Sequence, residues 1–85
     1  MQSVKVTVTT SPTLLIAADN KNRTIYIHNP SGTKIYVGDA SVTTTTGLHI
    51  ENGITQEILV PLGETLFGIV ASSTADSIVL TPNLD

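Results

Sequence analysis

The sequence predicts an all-β domain, a small antiparallel β-sandwich or jelly-roll-like barrel of about seven or eight short strands. Apolar and polar residues alternate with a period of two near both ends of the chain, which is the pattern of half-buried strands. Two Pro-x-Gly turns, Pro30–Gly32 and Pro61–Gly63, each lie between apolar-rich runs. No stretch sustains the apolar period of an amphipathic helix.

The length of 85 residues fits one domain, residues 1–85. A chain of this size buries only about 60–65% of its unfolded surface, so its core is thin. The absence of cysteine excludes disulfides and thiolate zinc sites, and it fits folding in a reducing cytoplasm. Because small domains without such cross-links often gain stability by oligomerising, we expect a homo-oligomer.

Charge and hydropathy exclude two classes of partner. The net charge is -3 at pH 7, and the four basic residues are spread along the chain, so no basic stripe is available for nucleic acid. The longest apolar run, Leu14–Ala18, is far too short to span a bilayer. Met1–Val6 alternates and lacks the apolar region of a signal peptide. We therefore expect no nucleic acid, no membrane and no export signal.

The first elements are short strands. Ser3–Thr9 alternates cleanly and predicts a half-buried strand whose apolar face carries Val4, Val6 and Val8. Thr13–Ala17 predicts a second strand with both faces partly covered, and Ala18–Asn22 predicts a polar turn.

The strongest local signal is Arg23–Gly38, which predicts a β-hairpin closed by a turn over Asn29–Gly32. Gly32 is expected to take a positive φ and close a three-residue loop with a bulge. The register that keeps apolar residues on one face pairs Asn29 with Thr33, Ile27 with Ile35, and Ile25 with Val37. The other face then pairs Tyr26 with Tyr36, and His28 with Lys34.

The segment Asp39–Gly47 has no apolar face, and it contains four consecutive threonines that favour extended backbone. It predicts an exposed edge strand or an extended loop. A sharper hypothesis is that Ser41–Thr46, with Thr44 at its centre, adds a strand to a partner chain.

A second hairpin is predicted from Ile54–Val60 and Glu64–Ala71, with Ile58 opposite Leu66 and Ile54 opposite Val70. The other face of this pair is also apolar, and one domain of this size has few elements to cover it. We therefore expect another subunit to cover a face formed by Leu59, Phe67 and Ile69.

The remaining segments are a short apolar pair within Leu48–Ile50, a turn at Glu51–Gly53 and a last strand within Asp76–Thr81. Residues 82–85 predict a tail.

No catalytic, cofactor-binding or metal-binding residue is predicted. The two histidines, His28 and His49, are the candidate bases near neutral pH, and His28 fits a solvated strand position. The sequence has no Gly-x-Ser-x-Gly nucleophile elbow, no cluster with metal-ligand spacing and no phosphate-binding glycine loop. Asp39 and Asp76 fit turn chemistry. We expect a protein that is not an enzyme, and a small hydrolase is the least favoured reading.

The aromatic residues are Tyr26, Tyr36 and Phe67. A Tyr26–Tyr36 cross-strand pair would stabilise the sheet. The same pair could form a small sugar-binding platform or anchor a protein interface.

A recognisable series of residues extends from Leu14 to Leu80. It reads as an apolar run, a polar turn, Arg-x-apolar-x-Ile-x-Asn, a turn, apolar-Tyr-Val-Gly, a Val-Thr-rich stretch ending in Gly, and a late apolar strand. The residues that carry it are Arg23, Ile25, Ile27, Asn29, Ile35, Tyr36, Val37, Gly38, Gly47 and Leu66–Ile69. This series resembles small structural modules of tailed-bacteriophage virions, namely capsid decoration (cement) proteins, head fibres and domains of tail or adaptor proteins.

The resemblance implies a non-enzymatic protein of the virion, assembled in the host cytoplasm, that decorates or cements the outer surface of the capsid. Its implied partners are the major capsid protein or other virion proteins, and a homotrimer would suit the three-fold positions of an icosahedral shell. The alternative is a tail or adaptor module that recognises a host surface or glycan. The interface candidates are Tyr26, Tyr36, Thr44, Leu59, Phe67 and Ile69.

Overall fold

The computed structural model describes residues 1–81, so the tail predicted at residues 82–85 lies outside the described part of the chain. Eight strands are present within it, and none of these residues forms a helix that could cross a membrane. The strands are β1 (Gln2–Val8), β2 (Thr13–Ile16), β3 (Arg23–His28), β4 (Ile35–Gly38), β5 (Leu48–Ile50), β6 (Thr55–Val60), β7 (Leu66–Ile69) and β8 (Ala75–Thr81).

The strands form two antiparallel four-stranded sheets packed as a sandwich. Sheet A has the order β1-β8-β3-β6, and sheet B has the order β2-β7-β4-β5. Strand pairs are nested around the loop between β4 and β5, because β4 pairs with β5, β3 with β6, β2 with β7 and β1 with β8. This nesting is the jelly-roll topology, so the predicted fold class is confirmed.

The core lies between the two sheets. Sheet A contributes Ile25 and Ile27 from β3, and sheet B contributes Ile35 and Val37 from β4; all four are buried. Burying each of these aliphatic side chains contributes about 1.5–3 kcal/mol. Because neighbouring residues of a strand point to opposite sides, the same alternation sends Tyr26 and Tyr36 to the outside.

The predicted hairpin across Arg23–Gly38 is wrong. β3 pairs with β6 and β8 in sheet A, whereas β4 pairs with β5 and β7 in sheet B. The connection between them is therefore an arch from one sheet to the other. A hairpin and an arch both place alternate residues in the core, so the apolar pattern alone does not separate them. Gly32 has a φ of 80°, which confirms the prediction of a positive φ at this position.

The second predicted hairpin is wrong for the same reason. Ile58 on β6 lies opposite Ile25 of β3, and Leu66 on β7 lies opposite Ile16 of β2. The Pro-x-Gly segment between β6 and β7 is again an arch, with Gly63 at a φ of 78°. The two Pro-x-Gly turns thus serve as crossings between the sheets.

Asn29 holds together the arch at one end of the sandwich. Its fully buried side chain donates from Nδ2 to the carbonyl oxygens of Thr33 at 2.6 Å and Ile50 at 2.8 Å. Its Oδ1 accepts from the backbone nitrogen of Ser31 at 3.1 Å and from Ser31 Oγ at 2.7 Å. Asn29 therefore links the end of β3 in sheet A to the end of β5 in sheet B.

Arg23 acts at the opposite end of the same strand. Its buried guanidinium donates from Nη1 to the Ala17 carbonyl at 2.6 Å and from Nη2 to the Glu64 carbonyl at 3.2 Å. A backbone bond joins the same two segments, because the Asp19 carbonyl, between β2 and β3, accepts from the nitrogen of Gly63, in the arch between β6 and β7, at 2.7 Å. Strand β3 thus carries a polar residue at each end, and each joins the loops that bridge the two sheets.

The threonine segment is neither an edge strand nor an extended loop. The Gly47 nitrogen donates to the Thr43 carbonyl at 2.9 Å, which closes a helix-like turn. Thr43 Oγ1 accepts from the Thr46 nitrogen at 3.2 Å, and Thr46 Oγ1 accepts from the Thr43 nitrogen at 3.0 Å. This reciprocal bonding resembles a capping box and engages the backbone nitrogens of Thr43 and Thr46, which are then not free for strand addition.

Candidate interaction surfaces

The outer faces of the two sheets point in opposite directions and carry different residues. Paired residues on neighbouring strands lie on the same face of a sheet, so the strand register places each side chain. Tyr26 and Leu59 lie on the outer face of sheet A, whereas Tyr36, Phe67 and Ile69 lie on the outer face of sheet B.

The outer face of sheet B carries a continuous apolar surface across three strands. Leu14 of β2 lies opposite Phe67 of β7, and Ile69 of β7 lies opposite Tyr36 of β4. Leu14 is 46% exposed, Phe67 and Tyr36 are half-buried, and Ile69 is buried among its neighbours. We call Leu14, Tyr36, Phe67 and Ile69 the Phe67 patch.

The loop between β4 and β5 borders the Phe67 patch. Gly38 lies opposite Phe67, and a Cβ placed on Gly38 would lie 2.9 Å from Cγ2 of Val42. A Cβ on Gly47 would lie 2.7 Å from the Cβ of Tyr36. The buried Val42 side chain therefore fills the space above Gly38, and the exposed turn that contains Thr44 follows it at the rim of the patch.

Tyr36 extends the Phe67 patch toward β5 through a ring pair. The Tyr36 ring is stacked on the His49 ring, with centroids 6.0 Å apart and an interplanar angle of 4°. Glu51 lies beside this pair, since its Oε1 is 3.5 Å from His49 Nδ1 and 3.6 Å from Lys34 Nζ. This corner combines an exposed ring with charged hydrogen-bonding groups.

The outer face of sheet A is mixed in character. Tyr26 lies opposite Leu80, and the neighbouring pair sets His28 opposite Ile78. Tyr26 donates from its hydroxyl to Glu57 Oε2 at 3.3 Å. His28 Nδ1 lies 2.9 Å from Thr55 Oγ1, as expected for a strand histidine. Lys5 on β1 and Glu57 on β6 lie on either side of the apolar strip that Ile78 and Leu80 form on β8.

The structure regroups the sequence candidates. Tyr26 and Tyr36 do not form a pair, because they lie on opposite sides of the molecule. Leu59 likewise does not share a face with Phe67 and Ile69, because β6 and β7 belong to different sheets. Sequence reasoning missed Leu14 and His49 as parts of a surface, since both adjoin the candidates only through long-range strand pairing.

The polar candidates have structural partners. Asp39 accepts from the Ser41 nitrogen at 3.0 Å, which is the predicted turn chemistry. Asp76 instead lies in β8 and accepts from Thr7 Oγ1 at 2.9 Å, so its assignment to a turn is wrong. Within residues 1–81 no group of three or more side chains is placed to hold a metal ion.

No protein-family model, characterised protein or solved structure matches this chain.

Proposed function

We propose that this protein is a non-enzymatic structural component of a tailed-phage virion. In this proposal it binds the outer surface of the capsid as a homo-oligomer and stabilises the shell through protein contacts. Its partner is the major capsid protein or another virion protein. The contact surface is the Phe67 patch on sheet B, with the turn around Thr44 at its rim.

The observation that carries the proposal is where the resemblance residues lie. The inward-pointing members, among them Ile25, Ile27 and Ile35, form the core. Arg23 and Asn29 hold the two ends of the sandwich. The side chains of the series that point outward are Tyr36, Phe67 and Ile69, and all three lie in the Phe67 patch. The outward-pointing side chains of the series, which do not contribute to the core, therefore lie together on one surface.

The chemistry of the Phe67 patch suits a protein partner. Aromatic residues are enriched at the centres of protein interfaces, and lone charges are depleted there. Jelly rolls occur in viral capsid proteins and also in lectins, so the fold agrees with this proposal by analogy only. Several copies in one oligomer would raise the overall affinity through linked contacts, even if each contact were weak.

The proposal is tested by adding purified protein to phage particles assembled without it. We expect wild-type protein to saturate many sites per particle, as counted by quantitative mass spectrometry. Phe67→Glu should weaken binding by at least about tenfold, because it introduces a charge at the centre of an apolar contact. Thr24→Glu is the control on the outer face of sheet A, where Thr24 is exposed on the central strand β3, and it should bind like wild type.

Two results would contradict this assignment. If wild-type protein binds no particle, the decorating role is wrong. If Thr24→Glu abolishes binding while Phe67→Glu does not, the docking surface is the outer face of sheet A.

A second candidate function is recognition of a host surface or glycan by a tail or adaptor module. The observation that favours it is the Tyr36–His49 ring pair with Glu51 alongside, since an exposed ring and nearby carboxylate oxygens suit a sugar. This function predicts glycan binding that His49→Ala weakens and that Thr24→Glu leaves unchanged. A few copies per particle, located in the tail, would favour it over capsid decoration.

A further inference from the structure

The two outermost strands of sheet A each have one unpaired side. Within residues 1–81, β1 hydrogen-bonds to β8 alone and β6 hydrogen-bonds to β3 alone. Three successive antiparallel pairings separate these strands, so β1 and β6 run in opposite directions. Placed side by side, β6 of one copy and β1 of another would therefore pair antiparallel and continue the sheet.

The side chains on these two edges are complementary in charge. β1 carries Lys5 and β6 carries Glu57, both exposed and both on the outer face of sheet A. Charged residues on an edge strand usually block pairing with another strand. Here the two edges carry opposite charges. Two β1 edges or two β6 edges therefore repel each other, whereas β1 and β6 attract.

The inward side of each edge is apolar and only partly covered. Val4 on β1 points toward sheet B yet is 42% exposed, and Ile58 on β6 is half-buried. On the side of sheet B, the outermost strands β2 and β5 have only four and three residues, so they cover little of β1 and β6, which have seven and six. An added strand would bury more of this apolar surface.

We infer that copies of this protein associate by pairing β6 of one copy with β1 of the next. A single register satisfies both faces: Lys5 lies opposite Glu57 outside, and Val4 lies opposite Ile58 inside. The same register sets Thr7 opposite Thr55, a favourable cross-strand pair. The occupant of each edge is thus a second copy of this chain.

Other registers and pairings lack this agreement. A shift of two residues places Lys5 opposite Thr55 or Leu59 and loses the charge pair. A shift of one residue turns the apolar residues to the wrong face. In central registers, β6 against β6 sets Glu57 opposite Glu57, and β1 against β1 sets Lys5 opposite Lys5, which are destabilising like-charge pairs.

This contact is head-to-tail, because each copy uses two different edges. Head-to-tail contacts close into rings when the rotation between copies allows it, and the trimer implied by the resemblance would be such a ring. Pairing would replace one local bond, since the Gln56 side chain donates to the Glu57 carbonyl at 3.1 Å. It would leave the Phe67 patch on sheet B available for the capsid.

Cysteine cross-linking tests the register directly, because the chain has no native cysteine. Ser3→Cys and Leu59→Cys, prepared as separate variants, lie opposite each other in the inferred register. Directly opposite residues have Cα atoms about 4.5–5.5 Å apart, which suits a disulfide. We expect mild oxidation of the mixture to give a covalent dimer containing one of each variant. Thr7→Cys mixed with Leu59→Cys is the control, since those residues would be four positions out of register.

Charge exchange gives an independent measurement in solution. Lys5→Glu and Glu57→Lys should each weaken association by about tenfold in sedimentation velocity, because each creates a like-charge pair. The variant with both exchanges restores an opposite-charge pair and should associate within about threefold of wild type.

Three results would overturn the inference: no cross-link in the matched mixture, equal cross-linking within either single variant, or no restoration by the double exchange. The inference rests on the oligomer in the proposed function, but the experiment uses purified protein alone. A failure here would contradict the edge pairing and leave particle binding to be judged by its own assay.

Discussion

The buried side chain of Asn29 offers the sharpest test of how the sandwich is held together. Asn29→Ala removes its four hydrogen bonds and leaves the carbonyls of Thr33 and Ile50 without their side-chain donor. Each buried polar group left unsatisfied destabilises a protein by about 1–3 kcal/mol. The bonds to Ser31 count for less, because Ser31 is exposed and water can replace them.

We expect Asn29→Ala to lower the free energy of unfolding by about 3 kcal/mol. In a domain of this size that loss corresponds to a fall in Tm of about 12–24 °C. Urea titrations followed by far-UV circular dichroism measure it, at one protein concentration because the chain is expected to oligomerise. Asn52→Ala is the matched control: exposed Asn52 accepts one bond, from the Gly32 nitrogen at 2.8 Å, so its loss should be below about 1 kcal/mol.

The isosteric change Asn29→Asp tests the direction in which stability changes with pH. The variant keeps the acceptor but replaces the donor with an oxygen that faces two carbonyls. Burial and these carbonyls should raise the pKa of the introduced carboxyl above its unfolded value. The folded variant then binds more protons than the unfolded one, so its stability should fall as pH rises from about 4 through the raised pKa. Equal unfolding midpoints for Asn29→Ala and Asn52→Ala, or greater stability of Asn29→Asp at pH 7 than at pH 4, would refute the role of Asn29.

Three further substitutions probe other parts of the fold. Gly32→Val should destabilise by about 1–3 kcal/mol, because a β-branched residue is strained at a φ of 80°; Ser31→Val should cost less, and equal urea midpoints would contradict this. Gly47→Ala should destabilise by more than Gly53→Ala, because the added Cβ would lie 2.7 Å from the Cβ of Tyr36 in the first case, whereas in the second it meets no atom within 4 Å and carries only the backbone strain of a φ of 80°; the reverse order of Tm values would count against the packed loop. Arg23→Met should lower the free energy of unfolding by about 2–4 kcal/mol by removing the donors to two loop carbonyls; an unchanged urea midpoint would show that Arg23 does not hold this end.

The inward residues of β1, β3 and β4 could be predicted from the sequence, because they depend on local alternation. Ile54, predicted to share a face with Ile58, is instead 49% exposed and precedes β6. The isoleucines of Arg23–Gly38 are all buried, as the pattern requires. The pairing partners were wrong, since consecutive strands cross between sheets and pair with segments distant in the chain. Local turn chemistry suggested hairpins, but Arg23 and Asn29 also bond to residues far away in sequence, Glu64 and Ile50.

The surfaces could be predicted only in part for the same reason. Tyr36, Phe67 and Ile69 were recognised as candidates, and strand pairing brings them together. Their neighbour His49 is placed beside Tyr36 by a register that the local pattern does not encode. The position of Val42 was also hidden, because a lone valine in a polar loop has no periodicity to indicate that it is buried.

The stabilising role proposed for this protein is tested most directly by the disruption temperature of phage particles assembled without it. The temperature is measured before and after saturation with wild-type protein, with Phe67→Glu at the same concentration as the comparison. We expect wild-type protein to raise the disruption temperature and Phe67→Glu to leave it unchanged. Saturating binding of wild-type protein with no rise in that temperature would contradict the proposed role.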